Sequence, residues 1–74
     1  MTLEIAMKDV ERHAREVAKS DARDGCGPPA EGWIVDAIRP WAWDFGPDVL
    51  GRLQELWRAA YDAARAELDG RRVV

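Results

Sequence analysis

PDVLGRLQELWRAAYDAARAEL, residues 47–68, is the stretch that decides the fold. Val49, Leu50, Leu53, Leu56, Trp57, Ala60, Tyr61, Ala64 and Leu68 recur at helical spacing and cover an arc of about 140° on a wheel. Arg52, Glu55, Arg58, Asp62, Arg65 and Asp69 occupy the opposite side. Gly46-Pro47-Asp48 opens this helix, because proline suits the first helical position and an aspartate complements the positive end of the helix dipole. Gly70 is a natural stop. The expectation is a helix over about 47–69, roughly 33 Å long, followed by a frayed tail at 70–74.

Upstream, Thr2 can cap a first helix through its hydroxyl, with Leu3, Met7, Val10, Ala14 and Val17 as a seam spaced 4, 3, 4, 3. Lys8, Arg12, Arg15 and Lys19 form a stripe away from that seam, with Glu4 and Glu11 on one flank and Asp9 and Glu16 on the other. This predicts helix over about 2–19. SDARDGCGPPAEG, residues 20–32, is rich in glycine, proline and polar turn formers, so 20–29 reads as a loop. A short helix follows over about 30–39, with Pro29 in its opening turn and Trp33, Ile34, Ala37, Ile38 and Trp41 on one face. Pro40 lacks an N–H and disfavours helical geometry at Arg39, which places the boundary there. Residues 40–46 then form a tryptophan-rich joint.

These elements make one domain over 1–74, an all-α, small three-helix fold. Two long amphipathic helices run antiparallel, and the short helix lies across one end. A chain of 74 residues buries only about 60% of its unfolded surface. With 47% hydrophobic and 34% charged residues it is globular in composition. Cys26 and His13 are the only residues of their types, which rules out an intrachain disulfide and a zinc cluster of cysteines and histidines. Stability must come from packing, in which four tryptophans are prominent, or from association. The face around Trp57 is wider than the seam of the first helix. Either the short helix and the joint cover the remainder, or a second copy does, giving a homodimer. No leader sequence and no apolar run of the roughly 20 residues needed to span a membrane appear, so a cytoplasmic location is expected. An excess of arginine over lysine and abundant alanine suggest a high-GC bacterial or phage source.

Chemistry has little to stand on. Cys26 lies between glycines in a loop, His13 flanks the seam of the first helix, and the acids interleave with arginine on helix faces. Asp44-Phe45-Gly46 spells a kinase metal-binding triplet with none of its companion motifs. The expectation is no enzyme, no cofactor and no metal. Arg39, Trp41, Trp43, Phe45 and Trp57 are candidate partner-binding residues, since interface hot spots are rich in tryptophan, tyrosine and arginine. In an extended joint, Trp41, Trp43 and Phe45 would project to one side. The function expected is a small protein–protein interaction module, such as a phage or mobile-element accessory factor that inhibits or modulates a host complex. One alternative is a transcriptional regulator or antitoxin-like factor contacting nucleic acid through Lys8, Arg12, Arg15 and Lys19, with Arg71 and Arg72 adding to the stripe. A net charge of −3 and the flanking acids weigh against that. A second alternative is a small subunit of a larger enzyme.

Overall fold

The computed structural model describes the backbone of residues 2–72 and the side chains of residues 2–70. Among these the fold is all-α, with α1 at Leu3–Asp24, α2 at Glu31–Ala42 and α3 at Pro47–Arg72, and no strand. The Thr2 side chain caps α1 by accepting the Ile5 N–H at 3.3 Å. α1 continues five residues beyond the expected end at 19. Ala22 is buried, and Gly25, at φ 74°, is where the chain turns into the left-handed region. There the Cys26 N–H folds back onto the Asp21 carbonyl at 2.8 Å, closing the helix. The five residues 20–24 therefore belong to the helix and not to the loop.

The buried residues of α1 are Ala6, Val10, Ala14, Ala18 and Ala22, one every fourth position. The seam expected from the larger side chains is thus rotated. Val10 and Ala14 are shared with it, Leu3 and Val17 are half-buried, and Met7 is 40% exposed. A row of alanines lets a neighbouring helix approach closely, and the bulk comes from α2 and α3. Ile34, Ile38 and Ala42 of α2 meet Leu53, Trp57 and Tyr61 of α3 over that row. Every apolar residue expected on the inner face of α3 is buried or half-buried.

Pro40 does not end α2; it lies inside the helix, and Trp41 and Ala42 follow it in helical conformation. The carbonyl that loses its helical partner is that of Asp36, and both residues are on the exposed side, where a freed carbonyl is open to solvent. Burial of Ala42 holds the last turn. The Ala42 carbonyl then accepts the N–H groups of Phe45 at 3.0 Å and Gly46 at 3.2 Å. Gly46 takes φ 100°, and its carbonyl accepts the first α3 bond from Leu50 at 3.3 Å. At the other end, α3 passes through Gly70 to Arg72 without a positive φ, so the expected stop at Gly70 is not used. Val73 and Val74 of the expected tail lie outside the described residues.

The long helices run parallel, not antiparallel. Leu3 and Met7 face Leu53 and Leu56, His13 meets Trp57, Asp21 meets Tyr61, and Cys26 beyond α1 meets Arg65, so partners ascend together along both helices. α2 makes the return journey alongside α3, from the Glu31–Arg58 ion pair at 3.5 Å down to the turn before Pro47. It does not lie across one end. The radius of gyration is 12.8 Å with extents of 44 × 22 × 14 Å, longer than the about 11 Å radius of a compact domain of this size. The 26 residues of α3, about 39 Å of helix, account for the elongation.

Candidate functional site

Two polar contacts organise the interior. Trp57 on α3 is fully buried, and an indole N–H can only donate. It donates to His13 Nδ1 on α1 at 2.9 Å. The neutral imidazole therefore carries its proton on Nε2. Three indoles surround this ring, with centroids 6.3 Å away for Trp33, 5.5 Å for Trp41 and 6.2 Å for Trp57. Trp57 also stacks on Tyr61 at 5.2 Å with the planes 12° apart. The single histidine thus joins all three helices, a role that its place beside the seam did not announce.

Further along, the Tyr61 hydroxyl donates to Asp21 Oδ2 at 2.7 Å and accepts from Arg65 Nη1 at 3.2 Å. The same Arg65 nitrogen donates to the Cys26 carbonyl at 2.6 Å, which ties the loop after α1 to α3. Burial, reinforced by the hydrogen bond to Asp21, pushes the Tyr61 phenol above its ordinary pKa. Arg65 Nε has no hydrogen-bond partner, its neighbour Asp69 Oδ2 standing at 3.9 Å. Cys26 keeps an exposed free thiol. Among the described residues no group of three or more histidine, cysteine, aspartate or glutamate side chains could hold a metal ion, and no helix is long and apolar enough to cross a membrane.

The candidate contact residues separate. Trp43, on the turn between α2 and α3, is 74% exposed, whereas Trp41 and Phe45 are half-buried. Because residues 41–42 are helical and 43–45 form a turn, the three rings do not line one side of an extended segment. Arg39 is exposed beside Asp36 at 3.4 Å. Trp57 is sealed inside, so it belongs to the core and not to a contact surface. Trp33, read as part of the inner face of the short helix, is instead 48% exposed. Lys8, Arg12 and Arg15 each stand beside a carboxylate of α1, Glu4 at 3.7 Å, Asp9 at 2.7 Å and Glu11 at 3.6 Å, while Lys19 is exposed.

Two of the surface depressions lie between helices and bear on contact. One lies between α1 and α3 and is lined by Leu3, Met7, Arg52, Leu53 and Leu56. The other lies between α1 and α2 and is lined by Asp9, Arg12, His13, Glu16 and Trp41. No spacing rule could have marked the second one, since it depends on α2 laying Trp41 over His13. Fold and surface define a small three-helix domain with aromatic side chains exposed along α2 and its following turn. No protein-family model, curated protein or solved structure matches the chain.

Proposed function

We propose that this chain is a small, non-enzymatic protein–protein interaction module whose contact surface is α2 and the turn that follows it. The observation that carries this is Trp43, an indole 74% exposed at the tip of a turn held between two helices. Large aromatic side chains are seldom left in water, and indoles are among the commonest interface hot spots. Trp33 and Arg39 extend the exposed surface along the same helix. The partner is another protein or a second copy of this chain. A role as a phage or mobile-element accessory factor that inhibits or modulates a host complex is part of this proposal and rests on size and composition alone. The nucleic-acid alternative is less favoured, because three of its four cations already stand beside acids of their own helix.

Trp43→Ala tests the proposal. Stability should change by no more than about 0.5 kcal/mol, as for most surface substitutions. Binding to the partner captured by the wild-type chain from its native cells should weaken by about 30-fold, the effect of losing a hot spot. Undiminished capture by the variant, or a large stability loss with unchanged capture, would refute the surface role. Sedimentation at micromolar concentration distinguishes a second copy from a different protein. Steeply salt-dependent DNA binding that is lost on charge reversal of Arg12 and Arg15 would transfer the function to the nucleic-acid alternative.

A further inference from the structure

We infer that the depression between α1 and α2 is the seat of a partner's arginine side chain, its guanidinium lying against the Trp41 ring and beside the Glu16 carboxylate. This rests on the protein-binding reading and names the chemistry that the partner brings. Asp9, His13 and Glu16 follow one another at i, i+4 and i+7 on α1 and so form one stripe, which faces Trp41 of α2 across the depression. Trp41 is only half-buried, and its ring centroid stands 5.5 Å from that of His13, so aromatic surface lines the opening.

Charge decides what such a surface attracts. Asp9 is held by Arg12 at 2.7 Å, so that pair is locally neutral. Glu16 is exposed and has no ion-pair or hydrogen-bond partner among the described residues. His13 gives Nδ1 to the Trp57 N–H and in its neutral form adds no charge. An unpaired carboxylate in a depression that an indole also lines offers a cation both an ion-pair partner and an aromatic ring. Among biological cations the guanidinium fits best, because it is planar, stacks on aromatic rings and sheds water more readily than an ammonium group. The depression is shallow and open to solvent, which suits the end of one side chain lying along the surface. The net charge of −3 favours the approach of a basic partner surface.

The test is an NMR titration of the labelled protein with acetyl-Gly-Arg-Gly-amide, alongside the same peptide carrying citrulline, the uncharged analogue of arginine. The Trp41 indole N–H and the Glu16 amide should shift saturably with a Kd on the order of 10 mM, the strength of one exposed ring contact and one exposed ion pair. The citrulline peptide, which loses both the ring contact and the ion pair, should bind several-fold more weakly, and Glu16→Gln should shrink that difference by the ion pair's share, about twofold, without changing the melting temperature. No saturable shift of Trp41 up to about five times that Kd would overturn the inference. So would an equal response to citrulline, or an arginine preference undiminished in Glu16→Gln. Such a failure, with Trp43→Ala still losing the partner, would remove the arginine seat alone; failure of the Trp43 test would remove the wider reading.

Discussion

Tyr61 is the only tyrosine in the chain, and its hydroxyl bridges Asp21 and Arg65 inside the fold. Burial and the Asp21 carboxylate both disfavour its ionised form, so the folded-state pKa lies above that of the unfolded chain, about 10. Below pH 10 both states keep the phenol neutral, and the full contribution to stability is present. As pH rises through 10 the unfolded chain loses its proton first, so stability falls from about pH 10 upward through the folded pKa. Denaturation midpoints measured across that range should decline, the decline should flatten in Tyr61→Phe, and tyrosinate absorbance should appear later in the folded than in the unfolded protein. An identical alkaline slope in Tyr61→Phe would refute the assignment. His13 carries a comparable burden, because removing its ring leaves the buried Trp57 N–H without an acceptor. His13→Ala should cost about 1–3 kcal/mol by chemical denaturation. His13→Gln, which can offer an amide oxygen, should recover part of that loss; a quarter of the expected cost or less in His13→Ala would show that the hydrogen bond contributes little. Tyr61 was legible as an inner-face residue from helical spacing alone. Its partner Asp21 was not, because a polar residue four positions before a glycine reads as loop until something packs against Ala22.

At the level of elements, α3 was legible almost in full, since nine apolar residues on one arc leave a helix only one way to bury them. Its end was misread because Gly70 can remain helical when no left-handed turn is imposed on it. The α1 seam expected from sequence shares Val10 and Ala14 with the true ridge but is rotated from it for a different reason. Hydropathy weights Leu3, Met7 and Val17 above alanine, whereas the deepest positions are reserved for side chains small enough to admit α3 and α2. The row Ala6, Val10, Ala14, Ala18, Ala22 is therefore a steric requirement as much as an apolar one. Ala14→Leu, which adds bulk at a site with no exposed surface, should destabilise the fold by about 1–3 kcal/mol despite raising hydrophobicity. A melting temperature equal to or above that of the wild type would show that the row is not closely packed. In α2, proline chemistry correctly located a weak point at Pro40 but not a boundary, because the lost hydrogen bond faces water while Ile38 and Ala42 on either side of it are held in the core.

For the molecule as a whole, the mismatch between a broad α3 face and a narrow α1 seam leaves two ways to cover Trp57, the short helix with its joint or a second subunit. The mismatch is resolved within one chain: His13, Trp33 and Tyr61 surround that indole and leave it no exposed surface. What association remains to be argued lies with Trp43 and the exposed side of α2, at the joint that sequence had marked for its two prolines and three rings. By itself the sequence determined that the fold is all-α with three helices and where each begins, because periodicity and local start signals act within a few residues. Only the tertiary structure decided that the long helices run parallel, that Trp57 is core while Trp43 is surface, and that His13 and Glu16 come to face Trp41. Those outcomes depend on contacts between residues far apart in the chain, where the close packing of small against large side chains selects among arrangements that local pattern leaves equal.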